Sequence, residues 1–234
     1  MAPSVKPPRG AQRGAQRGAQ RGDGRSSRWD EHRESRRAEF VQAAAAAIEE
    51  HGPDAHLDDI AAAAGVSKPV LYRYFSDKDD LLAATARAAA DRLLEVVTTA
   101  IAADVPPRDR VEGAVLAYLG EVEQHRNLFL LAVRHHGQAM DGPVADGKQA
   151  MAAVFARTLG DALRDAGFDA GGAEPWAHAL VGLGVSTAEW WLERQTMSKQ
   201  AVADYLTAFI WHALDGIGQQ YFAANPTAPL QAKR

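Results

Sequence analysis

Between Leu57 and Phe75 the chain reads Leu-Asp-Asp-Ile-Ala-Ala-Ala-Ala-Gly-Val-Ser-Lys-Pro-Val-Leu-Tyr-Arg-Tyr-Phe, and this run restricts the fold more than any other. The spacing predicts a short helix over Leu57–Ala64 that must stop at Gly65. Glycine supplies the positive φ of a tight turn, which a Cβ would oppose. Ile60 and Ala61 are expected to face inward, and Ala64 is small enough for two helices to cross closely. Val66 plugs the turn and Ser67 is expected to cap the next helix. Val66 and Leu71 then hold the N′ and N4 positions of a hydrophobic staple, which fixes the angle between the helices. Pro69 is tolerated because the first helical turn has no internal acceptor for its missing N–H.

The helix after Ser67, expected to end near Tyr74, is lopsided. Leu71 and Phe75, four apart, anchor it, and Lys68, Pro69, Val70, Tyr72, Arg73 and Tyr74 are left to face outward. A valine and two tyrosines make a poor solvent face but a sensible nucleic-acid face. They offer an apolar group for a thymine methyl and hydroxyls for phosphates, and the cations suit a guanine edge or the backbone. Lys78 opens the following helix, where its ammonium and nearby amides suit a phosphate. Ser76-Asp-Lys-Asp79 reads as a capping box, with Ser76 as the cap. The same text also permits an αα-corner packed inside a larger helical protein, with the tyrosines buried.

The pattern Ile60-Ala-x-x-Ala-Gly-Val-Ser-Lys-Pro-x-Leu-Tyr-Arg-Tyr-Phe-x-x-Lys-x-x-Leu resembles the DNA-binding domain of the TetR family of bacterial repressors, over about Phe40 to Leu82. The resemblance implies operator contacts from Ser67, Lys68, Pro69, Val70, Tyr72, Tyr74 and Lys78. It also implies a homodimer, a double-stranded operator and a small-molecule effector. The family often has Thr where His56 stands, so here Asp54 or His56 must cap the second helix. Asp58 and Asp59 are expected to point away from the DNA backbone or repel it.

The surrounding text is helical almost throughout, so the fold class is all-α: an N-terminal helix-turn-helix domain followed by a C-terminal helical domain. No sustained alternation or Asn-Gly hairpin turn marks a strand. A first helix over about Glu34–Glu50 carries Phe40, Ala44, Ala47 and Ile48 as a core stripe, and His51-Gly-Pro53 ends it. The fourth helix runs to about Ala103. Later helices are expected near Arg108–His125, Asn127–His135, Gln149–Ala166, Glu174–Arg194 and Lys199–Gly216, with a loop around Gly137, Gly142, Pro143 and Gly147. The expected division is an unstructured Arg/Gly-rich arm over 1–28, the DNA-binding domain over 29–80, the effector and dimer domain over 81–222 and a loose tail over 223–234. In the arm, Gly-Ala-Gln-Arg repeats place Arg9, Arg13, Arg17, Arg21 and Arg25 four apart, while the interleaved glycines weaken a helix by about 1 kcal/mol each. It reads either as a cation that tracks DNA or as a solvated tail.

Charge is divided unevenly along the chain. Residues 1–37 hold ten Lys/Arg against four Asp/Glu, residues 38–80 three against nine, and residues 81–234 thirteen against seventeen. Phosphate affinity depends on local clusters, so the net charge of −4 does not oppose nucleic-acid binding. The absence of cysteine excludes disulfides, thiolate catalysis and Cys-based metal sites. No apolar run approaches the roughly 20 residues of a membrane span, so a cytoplasmic protein is expected. His125, His135 and His136 do not share a chelating geometry, since neighbours on a helix diverge by about 100°. No Ser-His-Asp, phosphate-loop or dinucleotide motif is present. The reading is therefore of no enzyme, no cofactor and no metal.

In the C-terminal region, Leu116, Tyr118, Leu119, Phe129, Leu130, Val133, Phe155, Leu159 and Trp176 are candidates for an effector pocket, each of them also suited to plain core. Their character favours a hydrophobic or amphipathic effector. Val181, Val185, Trp190, Trp191, Leu206, Phe209, Ile210 and Leu214 are candidates for a dimer interface. The competing function is a helical lipid carrier or enzyme that carries a helix-turn-helix-like corner.

Overall fold

The computed structural model describes residues 15–135 and 143–224, with side chains described over 31–133 and 147–219. Among these residues the chain forms nine helices and no strand. They are α1 (Ala15–His51), α2 (Leu57–Ala63), α3 (Lys68–Leu71), α4 (Lys78–Ile101), α5 (Pro107–Gln124), α6 (Arg126–His135), α7 (Pro143–Asp165), α8 (Ala173–Arg194) and α9 (Lys199–Ala224).

The N-terminal core collects what the sequence stripe offered. Phe40, Ala44, Ala47 and Ile48 of α1 close on Ile60 and Ala61 of α2, Leu71 of α3, Phe75, and Leu81, Leu82 and Ala86 of α4. The α2–α3 turn is built as a Schellman motif, in which the N–H of Val66 donates to Ala61 O and that of Gly65 to Ala62 O. Gly65 has φ +64°, so its lack of a Cβ is what lets the chain reverse there. Beyond Leu71 the regular helix tightens. The amides of Arg73 and Tyr74 donate to Val70 and Leu71, three residues back, so the expected helix to Tyr74 becomes one α turn with a tighter extension.

Four boundaries differ from expectation. The sequence predicts an unstructured arm over 1–28, whereas α1 continues back to Ala15. Once the packed part of α1 exists, each added residue gains a hydrogen bond without a new nucleation cost. The remainder of the expected arm, 1–14, lies outside the described residues. The cap of α4 is Asp77 rather than Ser76: its carboxylate accepts the Asp80 N–H at 2.7 Å. The Asp80 carboxylate in turn accepts the N–H of Ser76, the residue before the cap, at 3.0 Å. α7 starts at Pro143, a residue suited to a first helical turn. α9 runs through Gly216 and Gly218 to Ala224, because an interior glycine weakens a helix without ending it. Of the expected Gly-rich loop, Gly137 falls outside the described residues, as do Gly142 and residues 225–234 of the tail.

The expected division at residue 80 is not a break in packing. Leu128 and Leu131 of α6 belong to the same buried cluster as α1, α2 and α3. A second core joins Val115, Leu119 and Val122 of α5 to Ala188, Trp191 and Leu192 of α8 and to Val202, Ala203 and Leu206 of α9. α4 and α5 form an antiparallel hairpin, shown by the ties from Arg92 to Glu121 and from Arg110 to the Ala103 carbonyl. α7 crosses α4 closely at Gly147, where a Cβ would come within 2.9 Å of the Ala90 Cβ. No described helix is long and apolar enough to cross a membrane.

Candidate nucleic-acid interface and ligand cavity

α3 presents Ser67, Lys68, Pro69, Tyr72 and Arg73 as one exposed surface, with Tyr72 50% exposed. Ser67 stands at the N-cap with extended backbone, yet its hydroxyl makes no capping bond. The expected side-chain cap is therefore corrected: the staple of Val66 and buried Leu71 holds the turn, and the hydroxyl is left to the surface. Val70 and Tyr74 are also corrected from outward-facing to partly inward. Both pack against the core, and the Tyr74 ring meets Phe40 edge to face, with centroids 5.1 Å apart. A helix of one α turn has room for only one fully exposed stripe. Lys78 is half-buried in the first turn of α4.

Arg37 is the residue that local reasoning missed. Its guanidinium donates to the Tyr74 carbonyl and to Asp80 Oδ1, each at 2.7 Å, and lies 4.2 Å from the centre of the Phe75 ring. It ties α1 to the end of the recognition turn and to the start of α4. The Ser76 N–H holds the Asp80 carboxyl below the usual carboxylate range, and the Arg37 guanidinium adds to this against the opposing effect of burial. The contact spans 43 positions, so nothing near Arg37 in sequence announces it.

At the start of α2, His56 occupies the N-cap and Asp59 accepts its N–H at 2.9 Å. Asp58 pairs with Lys68 at 2.7 Å, both side chains being largely exposed. The acidic residue thus does not turn away from the recognition surface, because Lys68 draws it there. An exposed pair of this kind contributes about 0–1 kcal/mol, but it sets an internal anion beside Lys68 that a phosphate there would have to displace. Asp58→Asn is expected to tighten DNA binding about two- to fivefold at low salt, with the gain fading as salt screens the carboxylate. Anisotropy titrations of labelled duplex across a salt series check this; a loss of affinity would contradict it.

Behind the interface lies a cavity of ≈ 660 Å³ between α4, α5, α7, α8 and α9, reaching α1 and α6. Of the expected pocket residues, Tyr118, Phe129, Val133, Phe155 and Leu159 line it. Leu116, Leu119, Leu130 and Trp176 do not: Leu119 is fully buried in the second core, Leu116 and Leu130 pack against that core, and Trp176 covers Gly172. The expected dimer residues divide similarly. Trp191 and Leu206 are buried in the second core, and Trp191 Nε1 donates to the Met197 carbonyl at 3.0 Å. Val181, Val185, Leu206, Ile210 and Leu214 line the cavity. Only Trp190 and Phe209 stand exposed, beside Tyr205, which composition did not single out. Among the described residues no His/Asp/Glu group has metal-binding geometry; His136 and the side chain of His135 lie outside them.

Comparison with known proteins matches residues 40–85 to "Bacterial regulatory proteins, tetR family" and residues 96–225 to "Tetracyclin repressor-like, C-terminal domain". The chain belongs to the TetR family. An uncharacterized HTH-type transcriptional regulator of Mycobacterium tuberculosis is 36% identical over 197 residues, covering 83% of this chain and 84% of the relative. The HTH-type transcriptional activator FasR of Mycolicibacterium smegmatis is 29% identical over 79% of this chain and 85% of its own length. Among solved structures, a TetR-like regulator from Rhodococcus sp. RHA1 superposes with TM-score 0.58 at 28% identity, covering 77% of this chain and 96% of that one. FadR from Bacillus subtilis, solved with stearoyl-CoA, shares the fold at TM-score 0.59 and 16% identity, over 73% of this chain and 95% of that one. This TetR-family chain is a transcriptional regulator rather than an enzyme, and the reading of a carrier or enzyme with an incidental corner falls away.

Proposed function

We propose that this regulator is a homodimeric repressor that reads two half-sites of an imperfect palindrome through α3 and leaves the DNA when an apolar or amphipathic effector fills the cavity. One observation carries the reading: the cavity wall and the DNA-binding core share helices. α1, α4 and α6 each contribute to both. A molecule that moves α4 or α6 therefore acts on the core that seats α3. The DNA contacts are assigned to Ser67, Lys68, Pro69, Tyr72, Arg73 and Lys78, with Val70 and Tyr74 reaching out only at their edges. The exposed aromatic residues Trp190 of α8 and Tyr205 and Phe209 of α9 are assigned to the twofold interface, where burial in an isologous contact would remove them from water.

The effector class rests on the lining, which is mostly aliphatic and aromatic. FadR from Bacillus subtilis, bound to stearoyl-CoA, shows that this fold houses a long apolar chain in that protein. Because FasR is named an activator, the sign of regulation is tested separately from binding.

Footprinting on the DNA upstream of its own gene, with light scattering of the free protein, tests the assembly. The expected result is two protected half-sites separated by whole turns of about 34–36 Å and a mass twice 25.1 kDa. A single protected half-site bound by a 25.1 kDa species would overturn the homodimer. Transcript levels on deletion of the gene are expected to rise; a fall would make the protein an activator.

A further inference from the structure

The cavity has two unlike ends. Away from α1 it is lined by Val97 and Ile101 of α4 and by Val111 and Ala114 of α5. Toward α1 the same hairpin presents Arg92, Glu121 and His125, met by Glu49 from α1. Glu121 accepts from Arg92 Nε at 2.6 Å and lies 3.6 Å from His125 Nε2. Glu49 lies 3.9 Å from His125 Nδ1 and accepts the Leu128 N–H at 3.1 Å, while its carbonyl accepts from Asn127 Nδ2. Both imidazole nitrogens are buried without a hydrogen bond, as is the Tyr118 hydroxyl two helical turns earlier on the same face of α5. Buried polar atoms are almost always paired, so three such atoms lining one cavity call for partners that the chain itself does not supply.

We propose that the cavity takes a molecule with an apolar body and a hydrogen-bond-donating head, hydroxyl or amino, and that the head seats at His125 between Glu49 and Glu121. This rests on the cavity being the effector site. Two carboxylates and one guanidinium leave a surplus of one negative charge around the ring. A carboxylate or phosphate head would be a third anion there. A donor gains a charge-assisted bond to a carboxylate. The other cations of the lining do not change this end. Arg110 is spent on the Ala103 and Val105 carbonyls at the opposite end, and Lys148 of α7 makes no ion pair with Glu49 or Glu121. Because the ring makes no hydrogen bond, it turns toward a ligand without breaking one. Burial and the charge of Glu189 raise the Tyr118 pKa, which keeps its hydroxyl a neutral donor toward any acceptor on the body.

Calorimetric titration of the full-length protein with three probes of one chain length, 1-dodecanol, dodecylamine and dodecanoate, tests the assignment. The alcohol and the amine are expected to bind at least about tenfold tighter than the carboxylate, the scale of one charge-assisted bond. His125→Phe is expected to weaken the alcohol about tenfold. Glu121→Gln, which removes one negative charge and frees Arg92, is expected to shift the preference toward dodecanoate. Thermal melting of both variants confirms that they fold. Tightest binding of dodecanoate, lost on Lys148→Ala, would overturn the head assignment and leave the cavity as an effector site. The same holds for a preference that neither His125→Phe nor Glu121→Gln alters. If none of the three probes binds, the effector site itself falls.

Discussion

Tyr72→Ala is expected to lower affinity for the operator about 30- to 1,000-fold while leaving the melting temperature unchanged. The ring is half-exposed at the end of α3 and takes no part in the N-terminal core, so its removal leaves no cavity. What it removes is a surface contact, in the lower part of the range that a single base contact carries, about 1–2 kcal/mol. In a twofold assembly the loss occurs at both half-sites, which roughly squares the factor. Lys68→Ala is expected to act in the same direction and also to reduce the salt dependence by about one counterion per recognition unit. Anisotropy titrations at several salt concentrations, paired with thermal melts, measure both effects. Wild-type affinity in the two variants would remove α3 from the interface.

Phe40→Ala is expected to have the largest effect on stability, a loss of about 3–5 kcal/mol, as for other fully buried phenylalanines. The ring is 2% exposed and touches Tyr74 edge to face, with the Arg36 guanidinium 5.0 Å from its centre. Its removal takes away the support of Tyr74 and so of the turn that ends the recognition unit. Urea unfolding should show a lower midpoint, and DNA binding should fall with it. The contrast with Tyr72→Ala is diagnostic: one variant loses binding through the fold, the other with the fold intact. An unchanged urea midpoint would mean that the packing around α1 is not what holds the unit together.

The recognition unit was legible because its determinants are local. Gly65, the Val66–Leu71 staple and Pro69 each act within a few residues, and each adopts the geometry its spacing requires. The failures there are also local in scale: the cap of α4 moved from Ser76 to Asp77, whose carboxylate accepts the Asp80 N–H, while the Asp80 carboxylate accepts the Ser76 N–H. Arg37 was out of reach because its partners, Tyr74 and Asp80, lie 37 and 43 positions away. The C-terminal helices were legible as helices but not as faces. Trp190 and Trp191 are adjacent and diverge, one exposed and one buried, but their periodicity alone does not say which. Val181, Val185, Ile210 and Leu214 carry the same apolar signature whether they meet a twofold partner or wall a cavity; in the single chain they line the cavity.

α4 joins the DNA-binding core to the cavity wall. It is a 24-residue helix, about 36 Å long at 1.5 Å per residue. Its first turn carries Lys78 and is braced by Arg37, whereas its second half, with Leu93, Val97 and Ile101, walls the cavity. A rod of that length tilted by about 5° about its far end moves its near end by about 3 Å. That is close to the rise of one base pair, about 3.4 Å. In the proposed symmetric pair the two ends would swing oppositely, so the displacement would double between the two recognition helices. In the proposed homodimer, a binding event that shifted the rod by only a few degrees would put the two reading heads out of step with a rigid duplex without any unfolding of the chain.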